Sequence, residues 1–177
     1  MTKVTSKTWP LHWRKPSAIW CYEMEGKERI TRALNRKEVD RTPVWFMRQA
    51  GRHLPEYRKL AREHDFWERC KDTDICSRIS LQPIERYPGI DATIVFSDIL
   101  TPLPSLGYEV KYGGGIKIDP FEFEDVDSWP EFRAREHAPW AGDALAEIGL
   151  QEENKARLGF AGCPWTISMY LLSGGTG

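Results

Sequence analysis

Apolar and polar positions alternate in two rhythms along this chain, and the changes of rhythm mark its elements. Lys27–Asn35 carries helix formers, with Ile30, Ala33 and Leu34 at helical spacing on one face. A turn over Asp40–Pro43 leads into Val44–Met47, a short apolar run that reads as a first strand. Pro55–Cys70 returns to the helical period and offers Leu60, Ala61 and Trp67 for burial. Asp72-Thr73-Asp74 is a helix-start signal, and Ile75–Tyr87 follows as a helix with Ile79, Leu81 and Ile84 turned inward. Asp91–Leu100 is β-branched and nearly unbroken in its apolar centre, as expected of a strand covered on both faces.

Tyr108–Ile118, interrupted by Gly113-Gly114-Gly115, reads as a hairpin or an excursion. It is not a phosphate loop, because Lys-Ser or Lys-Thr does not follow the glycines. Trp129–Leu150 suits a helix after Pro130, Leu158–Trp165 a third strand, and Thr166–Leu172 the opening of another helix. Strands alternating with helices, over connections too long for hairpins, predict an α/β fold with a parallel sheet. Three strands do not close a barrel of about eight. With the chain ending at Ser-Gly-Gly-Thr-Gly, the expectation is a fragment or truncated product.

Bulk properties narrow the classes. The length of 177 residues and 41% apolar content suit a globular domain. A net charge of -1 argues against a general nucleic-acid binder. The sequence has no apolar run long enough to span a membrane, about 18 residues. Cys21, Cys70, Cys76 and Cys163 form no CxxC pair, and Cys70 and Cys76 with His64 match no common metal spacing. The expectation is a reduced, cytoplasmic protein without bound metal. Residues 1–24 set Trp9, Trp13 and Trp20 among basic residues, with no apolar core for a secretory signal. They read as a loosely ordered extension to a domain over 25–177.

Three polar groups follow the three expected strands: Arg48 and Arg52, then Asp98, then Tyr170. Arginines clustered after a strand suit an anionic ligand, because a guanidinium stays charged and binds a carboxylate through two parallel hydrogen bonds. Ligand groups in α/β barrels lie at the C-terminal strand ends, so the three positions could share one mouth. Each also has a plainer reading when taken alone. Surface arginines are mostly solvated. Asp98 serves well as a helix N-cap, Tyr170 as a packing residue and Cys163 as a small buried apolar one. His53 reads as structural or as part of a rim.

The blocks Met47-Arg48-Gln49-Ala50-Gly51-Arg52, Phe96-Ser97-Asp98-Ile99-Leu100 and Gly159-Phe160-Ala161-Gly162-Cys163-Pro164-Trp165-Thr166, together with Leu81-Gln82-Pro83, resemble the uroporphyrinogen decarboxylase family, in the family's order. The resemblance runs over about residues 24–177 and covers the first half of the family's length. His53 and Cys163 stand where an aromatic residue and alanine are more usual. The resemblance implies the first part of a (β/α)8 TIM barrel, incomplete in this chain. It also implies a carboxy-lyase that turns the four acetates of uroporphyrinogen III into methyls, giving coproporphyrinogen III, with no cofactor and as a homodimer.

By the same resemblance, Arg48 and Arg52 would bind substrate carboxylates, within a substrate-binding run that includes Gln49, Ala50 and Gly51. Asp98 would accept hydrogen bonds from the pyrrole N–H groups, and Tyr170 would lie near the reacting acetate. Asp98, Arg48 and Tyr170 are the catalytic candidates. A serine and a histidine of the family's second half are absent. Two other readings stay open. One is a related corrinoid-dependent methyltransferase of the same barrel, which holds zinc through His and Cys. The other is a truncated porphyrinogen binder without turnover.

Overall fold

The structure is a computed structural model that describes residues 23–47, 52–131 and 133–176. Its elements run α1 (Gly26–Leu34), α2 (Pro55–Glu63), α3 (Phe66–Lys71), α4 (Thr73–Arg86), β1 (Ala92–Ile94), α5 (Pro102–Ser105), β2 (Val110–Tyr112), β3 (Ile116–Ile118), α6 (Ala134–His137), α7 (Trp140–Gln151), β4 (Ala156–Leu158), α8 (Pro164–Ser173) and β5 (Gly175–Thr176). β1 and β4 pair in parallel, Ala92 opposite Ala156 and Ile94 opposite Leu158. β2 and β3 form an antiparallel hairpin, and β5 adds antiparallel to β3. Parallel strands joined through helices make this an α/β chain, as the rhythm of the sequence predicts.

The long helical stretch after Pro55 divides in two. His64 leaves helical geometry, and Asp65 begins α3 with a capping box: its carboxylate takes the Glu68 N–H, while Glu68 reaches back to the Asp65 N–H. Asp72 caps α4 through the Ile75 N–H, 2.9 Å. Ile79, Leu81 and Ile84 of α4 are buried, as their spacing predicts. They join Leu60, Val95, Phe96 and Ile148 in the main apolar cluster, where α7 lies against α4. A second cluster around Leu100, Leu103, Val110 and Leu171 seats the hairpin and α8.

Four expectations are corrected. Val44–Met47 is not a strand: among the described residues a single backbone bond, Asp91 N–H to Val44 C=O at 2.8 Å, ties it to the sheet, and Phe46 and Met47 are exposed. One bond does not make a ladder. The third strand lies earlier than its apolar run, at Ala156–Leu158. Pro164 then starts α8 at a position where a missing N–H costs nothing. The helix expected over Trp129–Leu150 is divided into the short α6 and α7, which starts at Trp140 after Pro139. On α1 the buried side chain is Arg29, 1% exposed, while Leu34 is 79% exposed.

Arg29 is buried because it reaches a carboxylate centre at the N-terminal end of β1. Asp91 is fully buried and accepts from Arg29, from Arg41 at 2.7 and 2.8 Å, and from the Val44 N–H at 2.7 Å. Arg29 also holds both oxygens of Asp40 at 2.6 Å and donates to the Met24 carbonyl. The Asp91 carbonyl accepts from Ala156 N–H, joining the centre to β4. Burial works against the charge on Asp91, but Arg41, the Val44 N–H and Arg29 outweigh it and hold its pKa below the usual carboxylate value. Arg29 holds Asp40 well below it too. Gly26 starts α1 where a Cβ would stand 2.5 Å from the Asp91 carbonyl oxygen, so only glycine admits this approach.

Two outcomes follow for stability. A carboxylate with a lowered folded-state pKa stabilises above its unfolded pKa, and that stability is lost as pH falls through the folded value. Asp91→Ala should therefore cost about 3–5 kcal/mol at neutral pH, by stranding buried cationic charge. The gap from wild type should narrow in urea unfolding below about pH 4; an equal gap in acid would remove the ionised Asp91 as its source. Gly26→Ala, a change that helix propensity favours by about 1 kcal/mol, should instead destabilise by about 1–3 kcal/mol through overpacking. A raised thermal midpoint would contradict the close approach.

Candidate functional site at the C-terminal end of the parallel pair

The opposite end of β1 carries the candidate site. After Ile94 the chain runs through Val95 and Phe96, both buried, to Ser97 and Asp98, both half-exposed. α4 holds Phe96 by both of its backbone groups. Ser80 Oγ accepts the Phe96 N–H at 2.8 Å, and Cys76 Sγ donates to the Phe96 carbonyl at 3.1 Å. Thr93 Oγ1 adds a bond to the Ser80 carbonyl, 2.5 Å. These bonds fix where the strand ends and where the next residues leave the sheet. Sequence reasoning missed Ser80 and Cys76, whose role depends on a partner many residues away.

Asp98 does not cap a helix. Its Oδ1 accepts the Leu100 N–H at 2.8 Å, and its carbonyl accepts from the Thr101 hydroxyl at 2.6 Å. The result is an Asx turn ahead of α5, whose N-cap is Thr101. Gly162 of the loop after β4 donates to the Ile99 carbonyl at 2.9 Å, and a Cβ there would meet that oxygen at 2.5 Å. The two loops that follow the parallel strands are thereby locked together. α8, which opens from the second loop, carries Tyr170, half-buried against the second apolar cluster.

Tyr112, the last residue of β2, lies within electrostatic reach of both Asp98 and Tyr170. Burial first, then the nearby Asp98 carboxylate, raises the Tyr112 phenol pKa, with smaller influences from Cys70 and Tyr170. The Tyr112 ring packs against Phe66, tilted at 39° with centroids 4.1 Å apart, and meets Trp67 edge-on at 5.8 Å. Trp67 in turn donates to the Val110 carbonyl at 2.7 Å, which anchors the hairpin to α3. Strand alternation puts Tyr112 on the same face as buried Val110, the one sequence signal that could have singled it out.

Beneath the site lies a buried cation. Arg69 stands over the rings of Tyr57, Phe66 and Phe96 at 5.5, 5.8 and 5.5 Å, and bonds the Tyr57 hydroxyl at 2.7 Å and the Asp65 carbonyl at 3.0 Å. No carboxylate pairs with it among the described residues. Aromatic faces replace the counter-ion, each contact contributing about 0.5–2 kcal/mol. Burial pushes the Cys76 thiol up to about 11 and raises Cys70 further, so both are neutral packing groups.

Arg48, Gln49, Ala50 and Gly51 lie outside the described residues. Arg52 is exposed in the turn before α2 and shares no hydrogen bond or ion pair with Asp98 or Tyr170 among the described residues. His53 bonds the Tyr87 hydroxyl at 2.9 Å on an exposed rim. Cys163 is exposed rather than buried, at the N-cap of α8. The described helices include none long and apolar enough to cross a membrane.

Known proteins match this arrangement over almost the whole chain. Residues 25–177 fit the family model described as uroporphyrinogen decarboxylase (URO-D). A uroporphyrinogen decarboxylase of Magnetococcus marinus is 41% identical over 160 residues, covering 86% of this chain and 44% of its own. One from Alcanivorax borkumensis is 42% identical over 156 residues, 84% of this chain and 44% of its own. One from Listeria welshimeri is 37% identical, covering 81% of this chain and 42% of its own. The chain thus spans less than half the length of these curated relatives. With a family match that takes in the Arg48–Arg52 run, the Asp98 turn and the loop into α8, the chain belongs to the uroporphyrinogen decarboxylase family.

Proposed function

We propose that this chain supplies the N-terminal part of a (β/α)8 barrel that decarboxylates uroporphyrinogen III to coproporphyrinogen III. Residues 25–177 are the barrel portion and residues 1–24 an extension to it. The observation that carries this reading is the half-exposed Asp98 carboxylate at the C-terminal end of a parallel strand, where α/β folds receive their ligands.

Asp98 is suited to the chemistry. Loss of carbon dioxide from an acetate leaves an electron pair that needs a sink, and a protonated pyrrole ring of the substrate provides one. Among the described residues Asp98 takes one backbone donor, the Leu100 N–H, which leaves acceptor capacity for pyrrole N–H donors. Its negative charge then stabilises the cationic ring where water is excluded. Arg48 and Arg52 bind the peripheral carboxylates, with Arg48 orienting the departing one or relaying a proton. Gln49, Ala50 and Gly51 belong to the same substrate-binding run. Tyr170 stands beside the reacting acetate.

The residues hold no group that the reaction needs from a cofactor, since the substrate is its own electron sink. The active form is a cytoplasmic homodimer, with no role on nucleic acid or membranes. The net charge of -1 fits that assignment.

In the full-length natural protein, Asp98→Ala should abolish conversion of uroporphyrinogen, measured by product chromatography, while far-UV circular dichroism stays unchanged. Wild-type turnover in that variant would remove Asp98 from the mechanism. Arg48→Ala should lower kcat/KM by about 10²-fold or more, the loss expected when a charge-assisted carboxylate contact of about 3 kcal/mol is removed. Unchanged kcat and KM would show that Arg48 binds no substrate carboxylate.

A further inference from the structure

A row of aromatic rings leads from the second apolar cluster out to solvent. Tyr108 is buried, and Trp129 stands edge-on to it, ring centroids 6.2 Å apart, with its indole N–H donating to the Tyr108 hydroxyl at 3.2 Å. Phe121 packs tilted against Trp129 at 6.1 Å, and Phe123 meets Phe121 edge-on at 5.3 Å. Phe123 ends the row and is 74% exposed, and Val126 is 45% exposed. Both belong to a 3-10 helix over Phe123–Ser128. Three residues per turn put Phe123 and Val126 in line on one face, and Glu124 and Asp127 in line on the next.

Acid is as concentrated here as aromatic surface. Residues 119–131 hold six carboxylates and no Lys, Arg or His. Glu131 pairs with Arg133, and Asp119 accepts the Glu109 N–H. Glu124 and Asp127 are exposed and make no ion pair among the described residues. An exposed apolar ridge edged by such acid suits a partner that is both aromatic and basic. The same chain carries one. Residues 1–22, outside the described residues, hold three tryptophans and four Lys or Arg, and no acid precedes Glu23. Trp13 lies about ten residues before Glu23, a reach of up to roughly 35 Å. A domain of this length has a radius of gyration of about 16 Å, so the segment is long enough to cross it.

We propose that the basic, tryptophan-bearing N-terminal segment of this chain docks on the Phe123–Val126 ridge, an indole ring covering Phe123 and its cations facing Glu124 and Asp127. The ring row holds Phe123 in place before docking, so little ordering is needed on the receiving side. Aromatic contact supplies the attraction, and the charges select which segment makes it. α8 presents another exposed apolar face, Trp165, Met169 and Leu172, but Pro164–Ser173 contains no charged residue and offers the segment's cations nothing. The docking is independent of the decarboxylase reading.

The test is amide hydrogen exchange, read by mass spectrometry on the full-length natural protein. Peptides from residues 5–20 should exchange about tenfold more slowly in wild type than in Phe123→Ser, with exchange in α4 and β1 the same in both. Glu124→Lys combined with Asp127→Lys should release the segment as well. Adding Lys7→Glu, Arg14→Glu and Lys15→Glu to that variant should restore protection, because the charges are exchanged rather than removed. Higher salt should weaken protection in wild type, since exposed charges are screened. A segment that exchanges equally fast in wild type and Phe123→Ser would overturn the proposal, as would a charge exchange that restores nothing. Protection that grows with protein concentration would also overturn it, by placing the segment on a second copy.

Discussion

Everything in this chain hangs from one buried carboxylate. Asp91 draws two guanidiniums, two backbone bonds from Val44 and Ala156, and the first turn of α1 into one centre at the N-terminal end of the parallel pair. A charge in that position is tolerable only because every partner is present at once. Removing any one leaves another charge in a medium that cannot solvate it. The centre therefore acts as an all-or-none clasp among segments distant in sequence. It also explains why α1 buries an arginine while its leucine faces solvent.

The two ends of the parallel strands divide the labour. At the N-terminal end, charges are saturated, buried and tied to backbone. At the C-terminal end, Asp98 is half-exposed and takes one backbone donor, and the buried Tyr112 hydroxyl has no hydrogen-bond partner, among the described residues. Between them, α4 supports Phe96 through Ser80 and Cys76, so the site's geometry is set by the helix behind it. Stability and availability for a ligand are opposing demands on a polar group. This chain meets them by placing the two kinds of group about one strand apart.

Part of the candidate site was legible in the primary structure. Asp98, expected at the end of an apolar strand, stands there, whereas Arg48 and Gly51 lie outside the described residues. The family resemblance agrees with the family match over residues 25–177. Less legible were the groups that hold the site. Tyr112 looks like any hairpin aromatic, and Arg69 like any surface arginine at the end of a short helix. That one lies within electrostatic reach of Asp98, and the other inside a cage of three rings, depends on how α3, the hairpin and the strand end meet.

By itself, the sequence determined the α/β rhythm, the cap at Asp72, the inward face of α4 and the hairpin around Gly113–Gly115, because each depends on residues within one or two turns of each other. It misplaced what depends on distant partners. Val44–Met47 has a strand's composition but, among the described residues, only one backbone bond to its neighbour, and Leu158–Trp165 is apolar yet ends its ladder at Leu158. Hydrophobicity reports what a segment would bury. Only the tertiary structure decides which backbone groups find partners and which buried charges find counter-charges. For that reason Arg29, Asp91 and Tyr112 emerged only in three dimensions.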